Sequence, residues 1–267
     1  MSAAEAAAAR LLSQRQGRVL LLTISNPSLR NAMSPDLYPA AAAAFGEASA
    51  EAGIGAIVLA GEGEHFCGGG NLNRLLAQRD LPPETQARHL DALHDWVVAM
   101  RQCPKPVIAA VEGAAAGGGF SVCLGCDLIV AAEDAKFVMS YVKIGLSPDG
   151  GGSAALAHAL PPQSALEILL DGSVVTAARL HALGVVNRVV ASGKAVEESL
   201  AWAKRLADGP AASQARIKRL VYAARDHEHR EHLDAERDAF LESLYGPECG
   251  EGIAAFLEKR KARFVPE

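Results

Sequence analysis

Short apolar runs recur through the first half of the chain at wide intervals. RVLLLTIS (18–25), GAIVLA (55–60) and PVIAAVEG (106–113) are nearly continuous in hydrophobic residues, many of them β-branched. That pattern predicts strands buried on both faces. CDLIVAA (126–132) and AKFVMS (135–140) predict two more. Between them, SPDLYPAAAAAFGEASAEA (34–52) reads as a helix, with Ser34 in the N-cap position and Pro35 at the first helical position. Strands alternating with helices predict an α/β fold.

The pattern changes after about residue 150. SALEILLDG, TAARLHALG, AVEESLAWAKRLADG and PAASQARIKRLVYAARDHE have helical character, and three of them run into a glycine suited to ending a helix. VVNRVV (185–190) reads as one last short strand. GIAAFLEKRKARF (252–264) reads as a final amphipathic helix, basic at the end where the helix dipole favours cations. The expected organisation is an α/β core over residues 1–195 and a helical region over 196–267. No internal repeat or long linker interrupts it.

Composition narrows the functional classes. Of 267 residues, 50% are hydrophobic and 21% charged, an ordinary globular balance with ample material for a core. The net charge of −5 gives no global attraction to nucleic acid or an anionic membrane, although a local basic patch can still hold an anion. Five scattered cysteines suit a reducing compartment better than a disulfide framework. Cys123 and Cys126 form a C-x-x-C between apolar flanks with no second ligand pair, which reads as two small core residues. The start, MSAAEAAAARLLSQRQG, carries an early glutamate and no strongly apolar stretch, so it is a poor signal peptide. No run approaches membrane-spanning length. The expected location is the cytoplasm.

Two glycine clusters carry the candidate chemistry. IVLAGEGEHFCGGGNLNRL (57–75) and KPVIAAVEGAAAGGGFSVCLGCDL (105–128) each follow a predicted strand. A strand, then glycines, then a helix leaves backbone N–H groups free at the helix start, where they can receive an anion or a developing oxyanion. The plainer alternative is close packing of strand against helix. Neither cluster is a P-loop, since no Gly-Lys-Ser/Thr follows, and neither has the dinucleotide G-x-G-x-x-G. GLSPDG does not have the spacing of a nucleophile elbow, so Ser147 is a weak nucleophile candidate.

These segments together resemble the crotonase (enoyl-CoA hydratase/isomerase) superfamily over nearly the whole chain. NPSLRNAMSPDL (26–37) is similar to its first CoA-contacting loop. GEHFCGGGNL (63–72) and KPVIAAVEGAAAGGGF (105–120) are similar to its two oxyanion segments. CDLIVAAEDAKF (126–137) and EGIAAFLEKRKARF (251–264) fit as well. The resemblance implies an α/β, ClpP-like fold with a repeated ββα core and a helical C-terminal trimerisation region. It further implies a homotrimer or dimer of trimers, and an acyl-CoA substrate whose CoA is part of the substrate. No metal or separate cofactor is expected, and neither a nucleic-acid nor a membrane partner.

Carried over by position, the oxyanion amides fall on Gly70 and Gly118. The CoA contacts fall on Arg30, Ala32, Gly68, Asn71 and Leu72, with Phe256 and Lys259 reaching CoA from the last helix, in some members from a neighbouring subunit. Arg30 also reads as a solvated surface charge. Asn71 stands where the family more often has Asp. Family hydratases use two glutamates around the reacting water, and those positions here are Ser121 and Tyr141. A serine hydroxyl is a poor base near neutral pH, and an unperturbed tyrosine holds its proton to about pH 10. The two are expected instead to line the substrate site, Tyr141 packing against the acyl group or hydrogen-bonding near it and Ser121 filling space where a glutamate would clash.

The remaining acid is Asp149, in KIGLSPDGGGSA (143–154). It reads either as a helix cap or as the acid that does chemistry. Dienoyl-CoA isomerases and ring-epoxide phenylacetyl-CoA isomerases of the superfamily place a catalytic aspartate here. The resemblance therefore implies an isomerase in which Asp149 moves a proton between carbons, with the enolate on Gly70 and Gly118. The alternatives are a hydratase working with Asp149 alone, a thioester hydrolase or dehalogenase using Asp149 as nucleophile, and an acyl-CoA-binding protein without catalysis.

Other candidates carry less. His158 and His181 read as packing or surface residues, and His65 lacks an obvious acidic partner. DHEHREHLDAERD (226–238) fits a solvated helix face better than a metal site. Trp96 and Trp202 read as packing or subunit contacts.

Overall fold

The computed structural model describes residues 8–265. The first residues of the alanine-rich start, 1–7, lie outside the described residues. The chain first makes strands β1 (Arg10–Gln16) and β2 (Val19–Ser25), then helix α1 (Leu37–Ala50) and strand β3 (Ala56–Gly61). Helices α2 (Leu72–Gln78) and α3 (Pro83–Gln102) lead to β4 (Val107–Val111), β5 (Ala114–Ala116), helix α4 (Gly118–Gly125), β6 (Leu128–Ala132) and β7 (Lys136–Val138). A 3-10 turn over Ser140–Ile144 precedes α5 (Gly152–Ala159), α6 (Pro162–Asp171), β8 (Val175–Thr176), α7 (Ala177–Ala182) and β9 (Arg188–Val190). Four helices finish the described chain: α8 (Ala195–Ala207), α9 (Ala211–Ala223), α10 (His229–Leu244) and α11 (Pro247–Leu257).

The strands form a six-stranded sheet in the order β1-β2-β3-β4-β6-β9 and a three-stranded sheet β5-β7-β8. In the larger sheet only the β1–β2 pair is antiparallel. The parallel strands therefore deliver their C-terminal ends to one edge, where open α/β sheets bind ligands.

Alternation along β3 explains why its sequence is apolar throughout. Ile57 and Leu59 point into a core shared with Leu37, Phe45, Trp96 and Met100 of α1 and α3. Ala56, Val58 and Ala60 point into a second core with Ile108, Val130, Ala203 and Ala207, so α8 covers the other face. Each fully buried aliphatic side chain contributes about 1.5–3 kcal/mol relative to exposure. Cys123 and Cys126 are buried in the first core, as the apolar flanks predict.

Three local expectations are corrected. Ser34 does not cap α1: the helix begins at Leu37 with Asp36 at its N-cap, and the Ser34 hydroxyl instead accepts a hydrogen bond from the Ala9 amide at 3.2 Å. Asp149 is not a side-chain cap either, because Gly151 occupies the N-cap of α5. The final helix lies earlier than expected, over Pro247–Leu257 rather than 252–264. Lys259 adopts a left-handed φ of 54°, and the Arg260 amide closes back onto Ala255 O at 3.0 Å, a helix-ending turn that the basic run disguised. Arg260 then clasps Glu251 through two bonds of 2.7 and 2.9 Å.

One buried ion pair ties the helical region to the sheet. Lys218 on α9 reaches Asp127 at 2.8 Å and donates to the carbonyls of Met100 and Lys105. The Val107 amide and the Tyr222 hydroxyl also donate to Asp127. Among the described residues no helix is long and apolar enough to cross a membrane.

Candidate active site

Three backbone segments lie side by side beyond the ends of β2, β3 and β4. The loop 26–33 is joined to the segment 67–70 by Gly68 N to Arg30 O at 2.8 Å, Met33 N to Gly69 O at 2.7 Å, and the Cys67 thiol donating to Asn31 O at 3.1 Å. The segment 67–70 is joined in turn to β5 by Cys67 N to Ala114 O at 3.0 Å and Ala116 N to Cys67 O at 2.9 Å. Cys67 thus pairs in parallel with Ala115. Three residues beyond this pair in sequence come Gly70 and Gly118, and the two segments remain close there, with Gly69 packed against Ala116 and Gly118.

Among the described residues neither the Gly70 nor the Gly118 amide has a protein acceptor. Gly118 opens α4, whose N-terminus adds its partial positive charge. Gly69 makes the approach possible: its φ is 92°, and a methyl group there would lie 2.7 Å from Ala116 O and 3.5 Å from the Gly118 nitrogen. The pair has the form of a two-amide oxyanion hole.

Asp149 stands beside this pair. A methyl group on Gly118 would lie 3.5 Å from Asp149 Oδ1, 3.8 Å from the Tyr141 hydroxyl and 3.0 Å from Met33 Cε. The Tyr141 hydroxyl donates to Asp149 Oδ1 at 2.5 Å and lies 3.2 Å from Ser121 Oγ. Burial first, and then the negative charge of Asp149, push the Tyr141 phenol well above its ordinary range, so it stays a neutral donor. Of the two positions that hold the hydratase glutamates in the resemblance, Tyr141 meets Asp149 directly and Ser121 is linked to it through Tyr141.

The other expected residues divide by location. Arg30 is exposed, with a left-handed φ of 53°, and its carbonyl holds Gly68 while its side chain points away from the core. Ala32 is buried, and Gly68 is half-buried between the two loops. Asn71 caps α2 by accepting from the Arg74 amide at 3.2 Å, a task Asn performs as well as Asp. Leu72 is exposed on α2. Phe256 is 83% exposed on α11 and Lys259 is exposed just after it. Among the described residues no hydrogen bond or ion pair joins either of them to the Asp149 group.

Several residues of the site were not foreseen. Asn31 is fully buried at φ 56°; its side chain donates to Glu62 O and His65 O and accepts from the Asn26 amide, bracing both loops at once. An asparagine next to Arg30 in a polar loop was the available signal, since Asn tolerates left-handed backbone. Tyr38 stacks on Trp96 with centroids 6.3 Å apart, and burial together with the Asp149 charge raises its phenol. Met33 forms a wall against Gly118.

Residues set aside in the sequence have ordinary partners. His158 meets Arg225 at 2.9 Å and His181 meets Val186 O at 2.8 Å, while His65 accepts from the Ala114 amide. His227 and His232 face Glu231 and Glu236 one turn along α10. Arg188 lies 3.6 Å over the Trp202 ring. Two open clefts of about 640 and 790 Å³ lie elsewhere, one lined by Arg101, Arg216 and Tyr222 and the other by Asp208, Glu251 and Arg260. Neither is lined by Gly70, Gly118 or Asp149, so volume alone does not locate the chemistry.

Comparison with known proteins finds relatives over nearly the whole chain. A family model described as enoyl-CoA hydratase/isomerase matches residues 14–266. The chain is 36% identical to a protein named probable enoyl-CoA hydratase from Rhizobium meliloti (strain 1021), covering 95% of this chain and 97% of the relative. It is 30% identical to 1,2-epoxyphenylacetyl-CoA isomerase of Escherichia coli (strain K12), covering 96% and 98%. A crystal structure of an enoyl-CoA hydratase from Polaromonas sp. JS666 superposes with a TM-score of 0.94 at 48% identity, covering 95% of this chain and 99% of that one.

Proposed function

The chain belongs to the enoyl-CoA hydratase/isomerase family, with its crotonase fold, and on that footing we propose an isomerase that moves a double bond, or isomerises a ring epoxide, in an acyl-CoA thioester. Asp149 is its base. The observation that carries this reading is the Asp149 carboxylate beside Gly118, hydrogen-bonded to the Tyr141 phenol, while Ser121 and Tyr141 stand at the two hydratase glutamate positions.

The steps follow from charge and reach. The thioester oxygen accepts from the amides of Gly70 and Gly118. Asp149 takes a proton from the α or γ carbon, and the electron pair moves into the dienolate whose oxygen those amides hold. Asp149 then returns the proton at a different carbon. One group suffices because it both takes and gives the proton, whereas hydration also needs an oriented water. Loss of one oxyanion donor costs roughly 3–4 kcal/mol of transition-state stabilisation.

Arg30, Ala32, Gly68, Asn71 and Leu72 line the path assigned to CoA. Phe256 and Lys259 are assigned to a neighbouring copy's CoA, in a homotrimer or dimer of trimers. Their exposure supports that assignment, as do the exposed Phe240, Tyr245 and Leu257 on the same pair of helices.

Hydration of a 2-enoyl-CoA is the second reading, favoured by the name of the Rhizobium meliloti relative. Product analysis with 2-enoyl-, 3-enoyl- and ring-epoxide thioesters tests the choice. An isomer of unchanged mass is expected, and a product heavier by one water would replace the first reading with the second.

A further inference from the structure

Ser121, Tyr141 and Asp149 form a continuous chain of hydrogen bonds, and the loop that carries Asp149 is seated directly on its first member. Ser121 lies on α4 and is 1% exposed. A methyl group on Gly150 would lie 3.2 Å from Ser121 Cβ, and one on Gly152 would collide with Ser121 Oγ. The run of glycines after Asp149 thus lets the loop settle on a serine that no larger residue can replace without moving it. From Ser121 the chain passes to the Tyr141 hydroxyl at 3.2 Å and on to Asp149 Oδ1 at 2.5 Å. Among the described residues Asp149 Oδ2 has no donor.

We infer that Tyr141 is a positioning residue: its phenol, fixed by Ser121, occupies Oδ1 of Asp149 and turns the carboxylate so that Oδ2 is the oxygen that takes and returns the substrate proton. This rests on the reading of Asp149 as the base. Because the phenol remains neutral, it donates throughout the working range and does not compete as a base. Direct contact at Oδ1 also leaves no place for a water between the two groups, so the arrangement suits transfer between carbons. A carboxylate held at one oxygen is a defined base, and a misplacement of about 1 Å in such a group costs roughly 100-fold in rate.

The experiment measures exchange of acyl protons in deuterated water with 3-hexenoyl-CoA, hexanoyl-CoA and phenylacetyl-CoA. It compares wild type, Tyr141→Phe, Ser121→Ala, the double variant and Asp149→Asn, with thermal melting as a control on folding. The expected result for Tyr141→Phe is a fall in kcat of about 10- to 100-fold with KM unchanged. Ser121→Ala should lose less, and adding it to Tyr141→Phe should cost nothing further. If Tyr141→Phe fails to fold, the smaller Ser121→Ala variant carries the same split of kcat from KM.

A rise in KM at constant kcat would mean that the phenol touches the acyl group, and would overturn the inference. So would wild-type kinetics in Tyr141→Phe and Ser121→Ala alongside an inactive Asp149→Asn, an outcome that leaves Asp149 as the base. Exchange by Asp149→Asn at the wild-type rate, or none by wild type on all three thioesters, would remove the base and the positioning role together.

Discussion

Gly152 rests on the hydroxyl of Ser121, with the Met139 methyl 2.9 Å from where its own side chain would begin. This contact joins the first turn of α5 to the middle of α4, and it sets the height of Asp149 over the Gly118 amide. Replacing Gly152 with alanine forces the two helices apart. We expect Gly152→Ala to lose about 1–3 kcal/mol of stability in urea unfolding, the range for overpacking a filled site. Turnover should fall further than stability does, because the same displacement carries the carboxylate away from the oxyanion amides.

Much of this arrangement can be read from residue order, and the exceptions have physical causes. β2, β3, β4 and β6 are legible because burial on both faces makes them continuously apolar. β1 escapes because it is an exposed edge strand, RLLSQRQ, whose hydrogen bonds to β2 leave most of its side chains in solvent. β5 is three alanines whose pairing depends on distant partners, Cys67 and β7. The glycine clusters announce free amides, but only the Cys67–Ala115 register shows that the two clusters meet. Asp149 is visible as a lone acid, whereas its partnership with Tyr141 depends on a turn that composition does not encode. Asn31 braces two loops through long-range bonds to Glu62 and His65 carbonyls and could not be ranked above its neighbours.

The Lys218–Asp127 pair supplies a test of stability remote from the site. Both side chains are largely buried, and Asp127 is additionally held by Val107 and Tyr222. Lys218→Met would leave the carboxylate buried without its counter-charge. A loss of roughly 3–5 kcal/mol is expected in chemical unfolding, against a much smaller loss when Asp127 is changed to Asn in the same background. Equal losses in the two backgrounds would show that the charges do not depend on each other.

Alkaline stability should report on Cys67. Burial pushes its thiol up from 9.0 to about 12. The folded chain therefore holds this proton where the unfolded chain releases it. The contribution is fully present below pH 9.0 and is lost as pH rises from 9.0 toward about 12. Within that window the slope for one group is at most about 1.4 kcal/mol per pH unit. Urea midpoints measured from about pH 8 to about pH 10 should fall less steeply in Cys67→Ala than in wild type, because one of the groups that drives the fall is removed. Parallel curves would contradict the assignment.

The central claim is that Asp149 takes a proton from the acyl chain and gives it back. Its most direct test is mass spectrometry of 2-enoyl- and 3-enoyl-CoA incubated with wild type and Asp149→Asn in deuterated water. The account predicts deuterium in the acyl chain without gain of water, slowed by at least about 100-fold in the variant. Deuterium incorporation at the same rate in Asp149→Asn, or water added to the 2-enoyl substrate by wild type, would contradict it.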